Sequence, residues 1–307
     1  MSECSNNDNN LIDEYEYVHT IREGYREHYI INNDYGVFDS LNKLNDDLTQ
    51  DKTIVHVLNC NYCSGLGDFI RGSITVAQLA KHFNIKFQLT LQHNPISNYI
   101  IHYENSPPVD KYIHRPELNF TWLYNIINDF MKTDDKIIYV QACSWYVSKY
   151  LTPDIMDYMK TRFTFKDECH QAVLSHISQF KYYNVIQIRC MDKHFNKHYY
   201  DDNLIEKISE LNLENNTIVM SSNYNLKKLI SKMFGFYFID KEPGHSDVTT
   251  KFWELDLTVT EFLILSKSSR IVCFSCYNHG SGFSEMPSVL NSIPYEVFRI
   301  PASPPPL

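Results

Sequence analysis

Short apolar runs alternate with longer segments of helical periodicity along the second half of the chain, and this rhythm restricts the fold more than any other feature. The runs are rich in β-branched and aromatic residues and lie at 184–189, 217–221, 236–239, 270–275 and 295–300. Between them, helical patterns lie at 203–211, 223–234, 255–266 and 284–291. Strands buried on both faces and connected by helices form a parallel sheet of βαβ units. The second half is therefore predicted to be a Rossmann-like domain.

The first half carries a related pattern with less regular spacing. Strand-like runs lie at 53–59, 86–91 and 136–142, and helical patterns lie at 68–83 and 120–131. We therefore predict two α/β domains with a cleft between them, at 15–175 and 176–300, joined by a linker near 163–183. The polar, Asn-rich start (1–14) and the Pro-rich end (301–307) are expected to be flexible.

Composition and charge argue against several classes of protein. Hydrophobic residues form 43% and charged residues 21% of the 307 residues, an ordinary globular balance. The net charge of -9 argues against a protein that coats nucleic acid, because such binding depends on clustered Lys and Arg. No run approaches the roughly 20 apolar residues that span a bilayer, and the start of the chain has no signal-peptide pattern. We expect a cytoplasmic protein with no membrane span, no nucleic-acid partner and mostly reduced cysteines.

The segment 59–73 is the strongest local feature of the first half. It lies where a predicted strand ends and a predicted helix begins, and Arg71 follows one turn into that helix. Gly65 and Gly67 allow the backbone to turn and to approach a ligand closely. Ligands of open parallel sheets bind at this carboxyl edge. The segment indicates either a phosphate-binding loop or a tight turn whose glycines serve packing, and the sequence leaves both interpretations open.

Arg189 stands at the carboxyl end of a predicted strand, and Asp192 follows three residues later. The guanidinium group presents paired donors that suit the oxygens of a diphosphate, and it would stabilise charge on a departing nucleotide. The alternative is a structural ion pair between Arg189 and Asp192 at a domain boundary. The strand-end position favours the functional interpretation.

Two further polar loops follow predicted strands. One contains Ser221 and Ser222, and the other ends in Ser281, Gly282 and Ser284. Small hydroxyl groups beside a helix start can hold phosphate oxygens, and glycine allows their close approach. Serine is also a common helix N-cap, which is sufficient to explain any one of these residues. Their convergence on one sheet edge is what predicts a phosphate site.

Three of these segments resemble motifs of one enzyme family. SGLGDFIRGSITVAQLAKHF (64–83) resembles the glycine-rich opening of α-1,2-fucosyltransferases and the related loop of α-1,6- and protein O-fucosyltransferases. IQIRCMD (186–192) resembles the family's HxRxGD motif, and 256–290 resembles its last motif. Motif order and spacing agree over about 53–295. The resemblance implies a GT-B fold, in which two Rossmann-like domains enclose a cleft.

The resemblance also implies an activity. Such a protein is an inverting glycosyltransferase that transfers a sugar, here fucose from GDP-fucose, to a glycan or protein hydroxyl, with the donor on the second domain and the acceptor on the first. Arg189 is implied to bind the β-phosphate, with Ser281, Phe283 and Ser284 nearby. Together with the segments above, the predicted substrate-binding residues are Gly65, Gly67, Arg71, Asp192, Ser221, Ser222, Ser281, Gly282, Phe283 and Ser284.

Three positions depart from the family's pattern. Gln187 replaces the motif His, Met191 stands where the family has a small residue, and Asp68 stands where the α-1,2 enzymes have Asn. These departures leave two alternatives open. One is a relative that uses another GDP- or dTDP-sugar, and the other is a catalytically inactive glycan- or nucleotide-binding protein on the same fold.

Inversion by direct displacement needs a base for the acceptor hydroxyl. Asp68, at the predicted cleft edge, is the candidate catalytic base beside Arg189, although a carboxylate at a helix N-terminus is also simply a favourable dipole interaction. No convincing D-x-D motif follows a strand, so we expect no metal and no cofactor beyond the donor.

Zinc and NAD chemistry are the competing interpretations. Cys60-x-x-Cys63 and Cys273-x-x-Cys276 could supply four thiolates, but the pairs lie far further apart along the chain than those of a zinc ribbon. An NAD-dependent oxidoreductase normally needs G-x-G-x-x-G, and the glycines of 59–73 have the wrong spacing. Both interpretations rank below the glycosyltransferase.

Overall fold

The computed structural model of the protein describes most of the chain from residue 51 onward. The described residues are 51–58, 65–91, 94–101, 113–114, 120–143, 146, 148, 151–190, 202–241, 252–277 and 280–300.

The first half contains a four-stranded sheet in the order β2-β1-β4-β3, with all neighbouring strands parallel. Its elements in chain order are β1 (Thr53–Val57), α1 (Leu66–His82), β2 (Lys86–Thr90), a 3-10 helix (Pro95–Tyr99), β3 (Ile113–His114), α2 (Phe120–Met131) and β4 (Ile137–Gln141). Two more helices, α3 (Pro153–Arg162) and α4 (Asp167–Ile177), lead into the second half.

The second half contains a second four-stranded parallel sheet, in the order β6-β5-β7-β8. Its elements are β5 (Asn184–Arg189), α5 (Asp202–Glu210), β6 (Thr217–Ser221), α6 (Tyr224–Phe234), α7 (Phe252–Ser266), β7 (Arg270–Ser275), α8 (Gly282–Asn291) and β8 (Tyr295–Arg299). The order changes direction at β5, because β6 lies on one side of it and β7 on the other. In open α/β sheets, such a switch point opens a ligand crevice at the carboxyl ends of the strands.

The two faces of the second sheet pack against different helices. The face that carries Ile186, Ile188 and Phe274 packs against apolar residues of α5 and α6. The opposite face, with Val185 and Ile271, joins a core that also includes residues of α1, α4, α7 and α8. Side chains alternate between faces along a strand, so odd-numbered residues of β5 and β7 point toward the first half and even-numbered ones point away.

Helix α1 lies between the two halves, and this position explains why its apolar stripe is wider than that of a surface helix. Residues 66 to 80 are buried almost without exception. Phe69 and Ile70 join the core shared with the second half, whereas Val76 and Leu79 join a cluster with Ile54 of the first sheet. A helix that packs on two sides must be apolar on two sides.

Two predictions made from the sequence differ from the structure. The apolar run 236–239 was predicted to be a strand, but it makes only an isolated parallel bridge, from Tyr237 to Ile218 of β6. It therefore adds one residue pair, not a full strand, to this edge of the sheet. The predicted linker near 163–183 contains α4, whose Cys169, Val173 and Ile177 are buried. The domain division at 175 and 176 therefore falls within a helix, and it stays a prediction.

Candidate functional site

Two helices from opposite halves of the chain meet at their N-termini. A β-carbon on Gly67, in the first turn of α1, would lie 2.2 Å from the carbonyl carbon of Gly282 and 2.3 Å from the amide nitrogen of Phe283, both in the first turn of α8. A β-carbon on Gly282 would lie 2.7 Å from Oδ1 of Asp68. Gly67 therefore has no room for a side chain unless backbone moves, whereas a β-carbon on Gly282 would meet mainly the movable end of the Asp68 side chain. Of the two interpretations left open for Gly67, the structure favours packing.

Gly65 differs from Gly67. It is half-buried, and a β-carbon on it would meet no atom within 4 Å among the described residues. It precedes the first residue of α1 and makes no side-chain cap, since it has no side chain. Within the described part of the chain, the start of α1 at Gly65 therefore has space beside it.

Neither of the meeting helix termini is closed by its own capping side chain. Ser281, the N-cap residue of α8, makes no side-chain hydrogen bond to the first turn. By contrast, the Asn223 side chain at the start of α6 accepts a hydrogen bond from the Leu226 amide at 3.0 Å. The first amide groups of a helix lack intrahelical partners and carry partial positive charge. The first amide groups of α1 and α8 thus receive no hydrogen bond from their own N-cap side chains, while Asp68 and Glu285 already place negative charge in the two first turns.

Asp68 and Arg71 form an ion pair on the first turn of α1. Arg71 Nη2 lies 3.0 Å from Asp68 Oδ1, and their side chains are 8% and 39% exposed, respectively. Arg71 also donates from Nε and Nη2 to the carbonyl oxygen of Cys143, just beyond β4, at 3.3 and 3.1 Å. Arg71 therefore ties α1 to the first sheet, and Asp68 is the member of the pair that reaches solvent.

Arg189 is the last residue of β5 and is half-buried. It points toward the first half, on the face of β5 that carries Val185 and Gln187. Its guanidinium group lies 5.4 Å from the centre of the Tyr277 ring, just beyond β7. Its Nη1 makes a long hydrogen bond of 3.4 Å to the carbonyl oxygen of Cys190. The contact with Tyr277 orients the cation at the switch point between β5 and β7.

Ser221 and Ser222 fix the backbone at the end of β6. The Ser221 hydroxyl accepts a hydrogen bond from the Asn223 amide at 3.0 Å, and the Ser222 hydroxyl accepts one from the Cys190 amide at 3.1 Å. The Ser222 amide donates to the carbonyl oxygen of Ile188. Both hydroxyl groups thus hold main chain in place, while the N-cap of α6 is Asn223 rather than either serine, and a phosphate-binding role for the two serines stays a prediction.

Ser284 belongs to a buried polar network rather than to the cleft surface. Its hydroxyl donates to Oε1 of Gln187 at 3.0 Å and lies 3.1 Å from the Tyr295 hydroxyl. The backbone oxygen of Ser281 accepts hydrogen bonds from the Ser284 and Glu285 amides at 3.2 and 2.9 Å. The residue that replaces the family's motif His therefore anchors α8 to β5.

Glu285 is a site residue that the sequence reasoning missed. It lies in the first turn of α8 and is only 1% exposed, and its Oε1 accepts a hydrogen bond from the Tyr146 hydroxyl of the first half at 3.3 Å. Phe283, whose place near the donor stays a prediction, packs edge-on against Phe262 of α7, with the ring centres 5.8 Å apart. An acidic residue in a helix's first turn is visible in the sequence, but its burial against the other half is not.

Several predicted features lie outside the described residues. These are Asp192, Met191, Cys60, Cys63 and the two chain ends, 1–14 and 301–307, that were predicted to be flexible. Among the described residues, no three or more His, Cys, Asp or Glu side chains are grouped so that they could hold a metal ion. No helix in the described part of the chain is long and apolar enough to cross a membrane.

Cys273 and Cys276 do not form a pair of metal ligands. Cys273 points toward the first half, where its thiol donates to Gln187 at 3.3 Å. Cys276 packs against the cluster on the opposite face of the sheet. Two thiolates on opposite faces cannot bind one ion.

Comparison with solved structures identifies the fold. A variant of Arabidopsis thaliana FUT1 in complex with GDP has a TM-score of 0.54 to this chain at 12% sequence identity, over 94% of this chain and 80% of that one. The chain has the fold of a GT-B fucosyltransferase. The fold predicted from the sequence is therefore confirmed.

Two other fucosyltransferase structures are more distant. The α-1,6-fucosyltransferase NodZ of Bradyrhizobium, soaked with GDP-fucose, has a TM-score of 0.46 at 8% identity, over 78% of this chain and 93% of that one. POFUT1 in complex with GDP has a TM-score of 0.45 at 11% identity, over 82% and 99%. No known family profile matches this chain, and no curated protein matches it significantly.

Proposed function

We propose that this protein is an inverting glycosyltransferase that transfers fucose from GDP-fucose to a hydroxyl group of a glycan or protein. The observation that carries the proposal is the meeting of the α1 and α8 N-termini beside the carboxyl edge of the second sheet, where Arg189 points toward the first half. The GT-B fold supports it, because fucosyltransferases that bind GDP share that fold.

The donor diphosphate is proposed to bind between these helix termini and Arg189. The backbone amide groups in the first turns of α1 and α8 point out of the helix ends and are suited to bind phosphate oxygens. The Arg189 guanidinium group would stabilise the negative charge that grows on the nucleotide as the sugar–phosphate bond breaks. We propose that these groups replace a metal ion in neutralising the diphosphate.

Asp68 is the proposed base. Its carboxylate is 39% exposed and lies at the junction of α1 and α8, where an acceptor hydroxyl could approach the anomeric carbon from the first half. The ion pair with Arg71 at 3.0 Å holds the carboxylate in one place. The acceptor oxygen would attack, its proton would pass to Asp68, and GDP would depart on the opposite face with inversion.

The test compares Arg189→Ala with Arg270→Ala. Arg270 is also half-buried, but it lies at the opposite edge of the same sheet, where it pairs with Glu296 at 2.6 Å. Loss of Arg189 is expected to weaken GDP binding about 10- to 100-fold, as for a lost charge-assisted hydrogen bond. It is expected to lower kcat about 10²- to 10³-fold. Titration calorimetry with GDP and transfer assays with GDP-fucose measure both quantities.

Equal GDP binding by both variants would contradict the role of Arg189. Asp68→Asn separates binding from chemistry, because it should lower kcat while leaving GDP affinity within about twofold. Stabilisation of the protein by UDP or dTDP but not by GDP would support a glycosyltransferase whose donor is a different nucleotide sugar.

A catalytically inactive binding protein is the second candidate. It is favoured by Gln187, which cannot exchange a proton as the family's His could. The side-chain oxygen of Gln187 already accepts hydrogen bonds from Ser284 and Cys273. Nucleotide binding without transfer or donor hydrolysis by the purified protein would support this candidate.

A further inference from the structure

Two cysteines occupy corresponding positions at the ends of neighbouring strands. Arg189, the last residue of β5, is paired in register with Ser275, the last residue of β7. Cys190 and Cys276 directly follow the two strands. The Cys276 amide donates to the carbonyl oxygen of Arg189 at 3.1 Å, so the pairing continues to this position. Neighbouring strands lie about 4.8 Å apart, within the range of Cα separations, roughly 4.4–6.8 Å, that a disulfide can bridge.

The two thiols also lie on the same face of the sheet. Cys190 belongs to the cluster that contains Ile186 and Ile188, and Cys276 packs against that same cluster. Burial raises the pKa of Cys190 to about 12, and the nearby Cys276 thiol contributes to the increase. Neither cysteine is in a disulfide.

Cys190 and Cys276 differ in exposure in a way that assigns them different roles. Cys190 is buried and Cys276 is half-buried. A small disulfide therefore reaches Cys276 first, because thiol exchange requires access to the attacking sulfur.

We propose that Cys190 and Cys276 form a reversible disulfide by exchange with a low-molecular-weight disulfide such as oxidised glutathione. The Cys276 thiolate attacks the small disulfide, forms a mixed disulfide and releases one thiolate. The Cys190 thiol, which its raised pKa keeps protonated until then, loses its proton as it attacks Sγ of Cys276, forms the protein disulfide and releases the second thiolate. The two protons lost by the cysteines pass to the released thiolates, so the products are the protein disulfide and two molecules of the small thiol.

The disulfide would join the residue after Arg189 to the residue before Tyr277. The Arg189 guanidinium group and the centre of the Tyr277 ring are themselves 5.4 Å apart. It would therefore fix the two strand ends at the proposed diphosphate site. This consequence rests on the proposed function, whereas formation of the disulfide does not.

The experiment oxidises the folded full-length protein with oxidised glutathione, blocks the remaining thiols with an alkylating agent and maps the digested peptides by mass spectrometry. We expect a Cys190–Cys276 peptide that is lighter by two hydrogens and that disappears after reduction with dithiothreitol. The link closes a long loop, so oxidation should raise the unfolding temperature by about 2–10 °C. Cys276→Ser should remove both the linked peptide and the rise.

Matched controls come from other cysteines. Cys169→Ser changes a buried thiol of α4 and should leave both results intact. If Cys276→Ser fails to fold, Cys190→Ala should abolish the linked peptide and leave Cys276 as a mixed disulfide with glutathione.

Three outcomes would overturn the proposal. They are alkylation of both thiols after oxidation, a stable mixed disulfide at Cys276 in the wild-type protein, and a dominant link between other cysteines. None of these readouts uses GDP or a sugar donor, so they are independent of the proposed activity.

Discussion

The contact between α1 and α8 predicts that Gly67→Ala destabilises the protein, although alanine is the better helix former. A β-carbon at Gly67 would lie 2.2–2.3 Å from backbone atoms of Gly282 and Phe283. The two helices would have to separate by more than about 1 Å to restore ordinary contact distances. Backbone atoms cannot rotate aside as a side chain can, so the separation must disturb the core shared by the two halves.

The expected size of this effect follows from two opposing terms. Overpacking in a closely packed interior costs about 1–3 kcal/mol and more where backbone must move, whereas replacing a helical glycine by alanine contributes about 1 kcal/mol in the other direction. We expect a net loss of about 2 kcal/mol, which lowers the unfolding temperature by about 4–8 °C. Urea unfolding followed by circular dichroism measures the free energy directly.

Gly65→Ser is the matched control, because the β-carbon has open space there and serine is a favourable N-cap. Its stability should equal or slightly exceed that of the wild type. A Gly67→Ala protein that is as stable as the wild type, or more stable by the helix-propensity term, would refute the close contact between the two helix termini.

Two buried polar sites give further predictions. Burial lowers the pKa of His56 from 6.5 to about 3. As the pH falls below 6.5, His56 therefore takes up a proton in the unfolded chain but stays neutral in the folded chain. The stability that neutral His56 gives the folded protein is complete above pH 6.5 and is lost as the pH falls toward 3. The free energy of unfolding should lose about 1.4 kcal/mol per pH unit over that window, and His56→Gln should remove this part of the slope in urea titrations at pH 7, 6 and 5. Lys227 of α6 is fully buried, 3.7 Å from Glu261 of α7, and burial lowers the pKa of Lys227 and raises that of Glu261. Glu261→Leu should destabilise the protein by about 3 kcal/mol because it removes the carboxylate paired with a buried ammonium group, and Lys227→Met in the same chain should restore most of the loss. Equal stabilities of the single and double variants in urea unfolding would contradict this coupling.

The parallel sheets could be predicted from the sequence because a buried parallel strand is a local signal. The bounds of β5, β6 and β7 coincide with the apolar runs at 184–189, 217–221 and 270–275. Helix α4 lies within the segment predicted to be a linker, although the spacing of its buried residues Cys169, Val173 and Ile177 is that of a helix. The run at 236–239 has the composition of a strand, but it forms a single bridge, from Tyr237 to Ile218 of β6.

The site could be predicted only in part. Arg189 at a strand end and a glycine-rich helix start are local features, and both lie where the sequence indicated. The sequence could not show that Arg71 is occupied by the Cys143 carbonyl, or that the Ser284 hydroxyl is occupied by Gln187, because these partners lie far away along the chain. The roles of Arg189 and Asp68 stay predictions, as does the cytoplasmic location.

By itself, the sequence determined the class of fold, because hydrophobic periodicity is set by neighbouring residues and fixes which segments form buried strands and helices. Tertiary structure alone decided the use of each polar group and glycine. Gly67 is required because Gly282 packs against it from the other half, and Asp68 reaches solvent because Arg71 is held inward by the end of β4. A side chain's chemical availability depends on what fills the space around it, and in this protein that space is filled by residues distant along the chain, such as Cys143 beside Arg71 and Gln187 beside Ser284.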